Sequence, residues 1–332
     1  MKKKNIAIIA GGDSSEYTVS LKSAEGILSF IDKEHYNVYL VLIRKQDWRV
    51  VLSGTEDESV PIDRNTFGFS KDGRYVQFDF AYITIHGTPG ENGLLQGYFE
   101  LTGIPYSSCG VLASALTFNK YNCNAFLRSF GILTASSILL RKGDTLPSEE
   151  DIVARLGLPL FVKPNEGGSS FGTTKVKTAA EIRPAICRAL EEVGNGALLE
   201  SFVDGHEVTC GCYRVRKETV IFPLTEVVTT NEFFDYDAKY NGQVEEITPA
   251  RIPEPIADAI RRCTSRIYDL IGAHGIIRVD YIIPKTSPDT FCLLEVNTTP
   301  GMTPTSFIPQ QVRAAGMNMK DVLTDIIESS YV

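Results

Sequence analysis

The sequence has 332 residues, of which 43% are hydrophobic, so it is long and apolar enough for two or three domains with ordinary cores. Its 33 basic and 41 acidic residues give a formal charge of −8, which argues against nonspecific nucleic-acid binding but allows a local basic pocket. The seven cysteines show neither a C-x-x-C pair nor a zinc-ligand spacing, and we expect reduced, mostly buried thiols.

The N-terminus, MKKKNIAIIAGG, places basic residues before an apolar run, as a secretory signal does. The run reaches Gly-Gly after too few residues for a signal peptide. The longest uncharged apolar run, VYLVLI at 38–43, is also too short to cross a bilayer. We therefore expect a cytoplasmic protein that binds neither membrane nor nucleic acid.

The first part of the chain predicts a parallel α/β layer. Its patterns indicate a strand, a helix and a strand at residues 5–10, 14–31 and 37–43. The apolar run FDFAYITIHG then ends in a loop at His86, and GLLQGYFELTG predicts a helix before the turn GIPYSSCG. This first domain spans residues 1–119, and its residues 50–75 carry no pattern that we can assign.

The remaining chain predicts two α+β domains. Residues 120–202 contain a helix at FNKYNCNAFLRSFGI, a Pro/Glu-rich connector at 142–151 and the strand that carries Lys163. Residues 203–332 contain a helix near 253–271 and the strands EVTCGCYRV, TVIFPLTEVV, GIIRVDYII and FCLLEVN. The chain contains no internal repeat.

The segment KPNEGGSSFG at 163–172 places a lysine directly before a Gly/Ser loop, and such a combination is typical of a phosphate site. A P-loop places its lysine after the glycines, and the pattern G-x-x-x-x-G-K-[ST] is absent from the chain. A lysine that precedes the glycines is explained if Lys163 reaches the phosphates from one sheet and a metal site lies on another sheet. The Gly/Ser loop then folds over the phosphates as a lid. Lys163, Glu200 and Glu207 then line a cleft, although each charge alone also fits a solvated surface.

The strands GIIRVDYII and FCLLEVN, joined by the turn-forming PKTSPDT, predict an antiparallel hairpin. Because side chains alternate along a strand, we expect Asp280 opposite Glu295 and Arg278 opposite Asn297 on one face. Two facing carboxylates repel each other, and a bound cation relieves the repulsion. The oxygen ligands suit Mg²⁺ held jointly by protein and nucleotide phosphates, with solvated acidic side chains as the alternative.

Seven ordered segments make the chain resemble the ATP-grasp superfamily and, within it, the D-alanine:D-alanine ligases. They are GGDSSEYTVS, HGTPGENGLLQGYFELTGIPYSSCG, KPNEGGSSFG, ESFVDGHEVT, FDYDAKY, RVDYI and LEVNTTPGMTPTS. The resemblance covers nearly the whole chain and implies a Rossmann-like parallel α/β domain followed by two α+β domains that enclose the nucleotide. It further implies ATP as co-substrate, two Mg²⁺ ions that Mn²⁺ can replace, and a homodimer.

The resemblance also implies roles for individual residues. The implied ATP-binding residues are Lys120, Lys163, Glu200, Glu207 and Lys239, and the implied metal ligands are Asp280, Glu295 and Asn297. For the substrates it implies Glu16 at the ammonium of the first D-alanine, His86 near that site, and Ser306 at the carboxylate of the second. The other implied catalytic residues are Arg278 and Gly301, which stabilise an oxyanion, and Ser169 and Tyr240, which close a loop with Glu16.

The implied reaction is ATP-dependent formation of D-alanyl-D-alanine through a D-alanyl phosphate, for peptidoglycan synthesis. Two alternatives are a depsipeptide ligase that uses D-lactate and an inactive ATP-grasp protein that only binds nucleotide. Family members that make depsipeptides typically lack a tyrosine at the position of Tyr240, and the intact Lys163 argues against an inactive protein. Ser201 stands where some relatives carry a lysine near the adenine.

Three of these residues also have simpler interpretations. Asp13 and Glu16 fit a capping box at the start of the first predicted helix, where an acidic side chain is stabilising without any substrate. His86 fits a loop histidine that contacts no ligand. Tyr240 fits a packing residue.

Overall fold

The computed structural model describes residues 3–52, 58–168, 172–191, 196–229 and 244–329. Its N-terminal part contains, in chain order, β1 (Lys4–Gly11), α1 (Tyr17–Phe30), β2 (Tyr36–Arg44), β3 (Asp47–Val51), β4 (Ser59–Pro61), β5 (Gly68–Lys71), β6 (Arg74–Gln77), β7 (Phe80–Ile83), α2 (Leu94–Thr102) and α3 (Val111–Phe118).

Five of these strands form one sheet in the order β4-β3-β2-β1-β7. Strands β2, β1 and β7 are parallel, and β3 and β4 add an antiparallel edge. Side chains alternate along β1, so Ile6 and Ile8 face α1 while Ala7 and Ile9 face α2. Both faces are therefore buried, which explains the continuous apolar run of β1.

The predicted parallel layer is confirmed, with three differences. The first helix begins at Tyr17, three residues after the predicted start at Ser14. The unassigned residues 50–75 include β4, β5 and part of β6, and β5 and β6 form a separate antiparallel hairpin. Helix α3 was not predicted, because its apolar sequence VLASALTF gives little helical periodicity.

The central part contains α4 (Lys120–Ser129), β8 (Ser137–Leu140), α5 (Glu149–Leu156), β9 (Leu160–Pro164), β10 (Thr174–Val176), α6 (Ile182–Glu191) and β11 (Ala197–Ser201). Its four strands form an antiparallel sheet in the order β10-β9-β11-β8. The predicted connector at 142–151 is wrong at its end, where α5 begins. Ser148 caps α5 by accepting the Asp151 N–H, so the S-E-E-D sequence was a capping signal.

The last part contains β12 (Gly205–Val215), β13 (Glu218–Ile221), β14 (Thr225–Thr229), β15 (Val244–Ile247), α7 (Glu254–Leu270), β16 (Ile277–Pro284), β17 (Cys292–Asn297), α8 (Phe307–Ala314) and α9 (Met319–Ser329). Its strands are antiparallel in the order β15-β14-β12-β16-β17, and β13 also pairs with β12. The predicted strand TVIFPLTEVV is two strands, since Pro223 has no N–H for a ladder.

Helices α8 and α9 return to the first sheet. Ile308 and Val312 of α8 and Val322 of α9 share one apolar core with Ile6 and Ile8 of β1. This packing holds the loop after β17 against α1. Among the described residues, no helix is long and apolar enough to span a bilayer.

Candidate active site

A cleft of about 1280 Å³ is lined by side chains of the four-stranded and six-stranded sheets and of the α1 region. It contains every predicted site residue that the structure describes: Glu16, His86, Lys120, Lys163, Glu200, Glu207, Arg278, Asp280, Glu295, Asn297, Gly301 and Ser306. The predicted residues Ser169, Lys239 and Tyr240 lie outside the described residues.

The carboxylate hairpin has the predicted register. Asp280 pairs with Glu295 and Arg278 with Asn297 across β16 and β17, and the register shifts only after Asp280. Arg278 binds Asp280 in a bidentate manner, with Nε to Oδ1 and Nη2 to Oδ2 both at 2.8 Å. Thr209 on β12 and the Asn297 amide also donate to the Asp280 carboxylate. Arg278 therefore already compensates one of the two facing charges.

The same pairing sets the charge of Arg278. Burial disfavours the guanidinium cation, but the carboxylates of Asp280, Glu295 and Glu207 outweigh burial and raise the pKa of Arg278. Arg278 is thus a permanent, fixed cation beside two acidic side chains. A fixed cation in a buried cleft stabilises negative charge that develops during a reaction.

The donor set of the hairpin fits Mg²⁺. Asp280, Glu295 and Asn297 offer oxygen ligands on one face and no sulfur or imidazole, which is the preference of this ion. The Asn297 Nδ2 lies 3.0 Å from Asp280 Oδ2, so its amide oxygen ligates only if the amide rotates. Within the described chain, no group of three His, Cys, Asp or Glu side chains could hold a metal ion.

Lys163 enters the cleft from β9. Its Nζ lies 2.6 Å from Glu200 Oε2 on the neighbouring strand β11, and the Asn124 amide donates to the other oxygen of Glu200. Burial disfavours the Lys163 ammonium, but Glu200, Glu295 and Glu207 outweigh burial and raise its pKa. Lys163 therefore stays charged in the cleft, and Glu200 lies directly beside it.

Lys120, the first residue of α4, is held against the Gly/Ser loop. Its Nζ donates to the Gly167 carbonyl, and its backbone N–H donates to the Asn165 carbonyl at 3.0 Å. The Asn165 side chain also accepts the Tyr121 N–H at 2.9 Å. Burial lowers the pKa of Lys120, and nearby Glu295 partly opposes that effect. Lys120 and Lys163 therefore approach the cleft from different elements.

Glu16 lies at the N-cap position of α1, and its side chain makes no capping bond to the helix. The Asp13 carboxylate instead accepts the Lys45 N–H at 2.8 Å. The capping-box interpretation is therefore wrong. A Cβ atom placed on Gly168 would lie 2.6 Å from the Glu16 carboxylate, so the Gly/Ser loop approaches Glu16 closely at this residue.

His86 follows β7 and lies beside α1. Its Nε2 is 3.0 Å from the Ser23 hydroxyl, and its backbone carbonyl accepts the Ser14 hydroxyl at 2.7 Å. Burial lowers the pKa of His86, although Glu16 raises it and Arg278 lowers it further. The imidazole is therefore neutral at physiological pH.

Ser306 lies on the opposite side of the cleft, at the N-cap position of α8. The Ser306 hydroxyl accepts the Thr303 N–H at 3.1 Å, and a Cβ on Gly301 would come within 3.0 Å of it. The exposed N–H groups and dipole of a helix N-terminus attract a carboxylate or phosphate. Gly26 of α1 lies against this loop, because a Cβ there would be 2.0 Å from the Met302 carbonyl oxygen.

Several residues that shape the cleft were not found from the sequence. Thr209 and Asn124 hold Asp280 and Glu200 from other elements, and Ser23 links His86 to the Met302 N–H. These contacts are long-range and leave no local pattern. Glu91 also faces the cleft, and its position in HGTPGENG was the only available signal.

Known proteins resemble this chain along nearly its whole length. Residues 5–109 match the family described as D-ala D-ala ligase N-terminus, and residues 126–328 match D-ala D-ala ligase C-terminus. The D-alanine–D-alanine ligase of Parabacteroides distasonis is 63% identical over 326 residues, which is 98% of this chain and 97% of that protein. The enzyme of the same name from Phocaeicola vulgatus is 60% identical over 99% of this chain and 100% of its own length.

The chain belongs to the D-alanine–D-alanine ligase family. Solved structures of this ATP-grasp fold cover nearly all of it. D-alanyl-alanine synthetase A of Vibrio cholerae superposes with a TM-score of 0.88 at 28% identity, covering 100% of both chains. A D-Ala:D-Ser ligase of Enterococcus faecalis superposes with a TM-score of 0.87 at 30% identity, and the match covers 99% of this chain and 100% of that protein.

A D-alanine–D-alanine ligase of Bacillus anthracis, whose structure was solved with ATP, superposes with a TM-score of 0.77 at 28% identity. The match covers 99% of this chain and 97% of that protein. The predicted ATP-grasp fold is therefore confirmed. Family membership also makes this chain an ATP-dependent ligase. The Enterococcus and Vibrio proteins have different named substrates at nearly equal structural similarity, so the fold alone does not fix the second substrate.

Proposed function

We propose that this protein joins two D-alanines into D-alanyl-D-alanine at the expense of ATP, as a step of peptidoglycan precursor synthesis. One observation carries the proposal. A single cleft combines a carboxylate for an ammonium group, two lysines for phosphates and a helix N-terminus for a carboxylate, at Glu16, Lys120, Lys163 and Ser306. The end-to-end similarity to named D-alanine–D-alanine ligases supports the same substrate.

In the first step, a carboxylate oxygen of the first D-alanine attacks the γ-phosphorus of ATP, and ADP leaves. Glu16 binds the ammonium group of this D-alanine, beside the neutral His86. Lys120 and Lys163 hold the phosphates from two elements and spread the charge of the moving phosphoryl group. The product of this step is D-alanyl phosphate.

In the second step, the deprotonated amine of the second D-alanine attacks the acyl carbon, and the carbon–oxygen bond to phosphate breaks. Arg278 and the Gly301 N–H stabilise the oxyanion of the tetrahedral intermediate, an effect worth roughly 3–4 kcal/mol per donor in other enzymes. Ser306 and the start of α8 receive the carboxylate of the second D-alanine. Phosphate leaves with one oxygen of the first carboxylate.

Asp280, Glu295 and Asn297 are the residues that would hold Mg²⁺. Bound Mg²⁺ neutralises phosphate charge, which lowers the barrier to phosphoryl transfer. Glu207 is assigned to the ribose hydroxyls and Glu200 to the adenine edge. The roles of Ser169, Lys239 and Tyr240 remain predictions from the sequence.

We further propose three domains at residues 1–119, 120–202 and 203–332, since each range contains one large sheet. Helix α4 joins two of them, because Cys123 and Leu127 pack in the core of the six-stranded sheet. The seven free cysteines fit the reducing cytoplasm, where we place the protein without membrane or nucleic-acid partners.

A homodimer is supported by exposed leucines on α2 and α3. Leu94, Leu101 and Leu112 are 65%, 90% and 79% exposed on these two adjacent helices. Apolar side chains grouped in this way suit a protein–protein interface. Sedimentation of Leu101→Glu beside the natural protein tests this, and a dimer unaffected by the charge would exclude this face.

The substrate assignment is tested by phosphate release from ATP with a panel of D-amino and D-hydroxy acids. We expect release with D-alanine alone and D-alanyl-D-alanine as the product. D-lactate or D-serine in the second position should give far less product. Preferred formation of D-alanyl-D-lactate or D-alanyl-D-serine would reassign the second substrate, and no D-alanine-dependent release would refute the proposal.

A further inference from the structure

The loop after β7 folds back on itself through a carboxylate. Glu91 lines the cleft, and its Oε2 accepts the Gly87 N–H at 2.6 Å. The Glu91 N–H in turn donates to the Gly87 carbonyl at 2.8 Å. Glu91 is therefore bound at both its backbone and its side chain to the residue that follows His86.

The His86–Gly87 peptide group is held from both sides. The Ser14 hydroxyl donates to the His86 carbonyl at 2.7 Å, and the N–H of the same peptide group donates to Glu91. Ser14 also accepts the Glu16 N–H at 3.2 Å. Two side chains thus fix one peptide plane, and one of them also contacts the backbone of Glu16.

Position 87 has no room for a side chain. Its φ of +74° is in the left-handed region, and an added Cβ would lie 2.7 Å from Ser14 Cβ. The same Cβ would lie 3.7 Å from Glu16 Oε2, so Gly87 lies close to the Glu16 carboxylate. The peptide that Glu91 holds is therefore next to the group assigned to the ammonium of the first D-alanine.

The environment of Glu91 is unusual for a residue that only closes a loop. Burial, followed by the like charge of Glu16, raises the pKa of Glu91 to about 8, and the hydrogen bond from the Gly87 N–H and then the charge of Lys120 partly oppose this. An acidic group with a strongly raised pKa that faces a cleft is a common property of functional sites. In either protonation state the Glu91 carboxyl group offers an acceptor oxygen to the Gly87 N–H.

We propose that Glu91 is a positioning residue for the first D-alanine. Its acceptor oxygen fixes the His86–Gly87 peptide, and through that peptide it fixes the His86 ring and the Glu16 carboxylate in the arrangement that receives the ammonium group. Glu91 acts through these two residues and takes no part in bond making. This inference rests on the proposed function, because it assigns the first D-alanine to the Glu16 end of the cleft.

The test compares two substitutions of similar size. Glu91→Met removes the acceptor and keeps the volume, and we expect the KM of the first D-alanine to rise about tenfold or more, with the KM of ATP within about twofold. Glu91→Gln retains an acceptor oxygen, so most of that loss should be restored. Glu150→Met, an exposed change on α5, is the matched control. The two D-alanine constants are obtained by fitting phosphate release to two successive binding steps.

The possible outcomes distinguish failure of the proposed function from failure of the role of Glu91. An inactive natural protein refutes the proposed function. An active natural protein whose first D-alanine KM is unchanged in Glu91→Met refutes the role of Glu91, as does equal loss in Glu91→Met and Glu91→Gln or a parallel loss of ATP affinity. If Glu91→Met does not fold, Glu91→Asp carries the test, because its shorter side chain withdraws the acceptor from Gly87. It should then raise the same KM, and an unchanged KM refutes the role.

Discussion

Two carboxylates of the cleft, those of Asp280 and Glu200, are paired with donors rather than left to solvent. Asp280 receives two bonds from Arg278 and one each from Thr209 and Asn297, and Glu200 pairs with Lys163 at 2.6 Å. A buried charge that loses its partner is strongly destabilising. Isosteric amide substitutions therefore give clearer tests of function than truncations to alanine.

Glu295→Gln tests the metal site. The substitution keeps the shape of the side chain and removes the negative charge that would face two cations. We expect turnover of ATP to fall at least about 100-fold with an unchanged thermal midpoint. Steady-state phosphate release across a range of Mg²⁺ concentrations measures this. Near-normal turnover at ordinary Mg²⁺ would remove Glu295 from the metal site.

Glu16→Gln tests the ammonium pocket. A lost charge-assisted hydrogen bond is worth about 1.5–3 kcal/mol, so the KM of the first D-alanine should rise about 10- to 100-fold while ATP binding changes little. Asp13→Asn is the matched control, since Asp13 lies in the same segment but bonds to the Lys45 N–H. Equal effects of the two substitutions would contradict the assignment of Glu16.

At the scale of elements, α1 is positioned by a glycine. The Cβ of Gly26→Ala would lie 2.0 Å from the Met302 carbonyl oxygen, so α1 and the loop before α8 must separate. We expect a destabilisation of about 2 kcal/mol or more and a higher KM for the second D-alanine, whose carboxylate we assign to the same loop.

Gly97→Ala in α2 is the matched control for this change. The nearest atom to its new Cβ is the Val111 side chain at 3.8 Å, which is ordinary contact. Alanine in a helix interior is then stabilising by about 0.5–1 kcal/mol. Thermal unfolding of both variants measures the difference, and a fall in both midpoints would show that the close approach at Gly26 is not the cause.

The elements predicted well are those with a strict period and clear ends. The Asp280–Glu295 and Arg278–Asn297 pairs of the β16–β17 hairpin were predicted correctly, because alternation places Asp280 and Glu295 on one face once the turn is identified, whereas the register shift after Asp280 was not predicted. The start of α1 was predicted too early because Asp13 is a residue type that often caps helices. In the structure its carboxylate instead accepts the Lys45 N–H. That contact joins segments 32 residues apart and has no local signal.

At the scale of the whole molecule, the cleft is assembled from segments far apart in the chain. The ordered motifs identified its main residues, but Thr209 of β12 reaches Asp280 across 71 positions, and Ser23 reaches Met302 across 279. The Thr209 contact depends on the pairing of β12 with β16, which places Thr209 opposite Asp280, and the Ser23 contact depends on the packing of the loop before α8 against α1. A single sequence contains no periodic pattern for them, which is why Ser23 and Thr209 were missed.

The most direct measurement follows an oxygen atom. In the proposed reaction, the first D-alanine carboxylate attacks the γ-phosphorus, and its attacking oxygen later leaves with phosphate. D-Alanine labelled with ¹⁸O in its carboxylate is turned over with unlabelled ATP, and the phosphate is analysed by mass spectrometry. We expect one ¹⁸O atom in each phosphate released, together with labelled D-alanyl-D-alanine and ADP. Dipeptide formed with phosphate that carries no ¹⁸O would show that no D-alanyl phosphate lies on the path, and would contradict the proposed reaction.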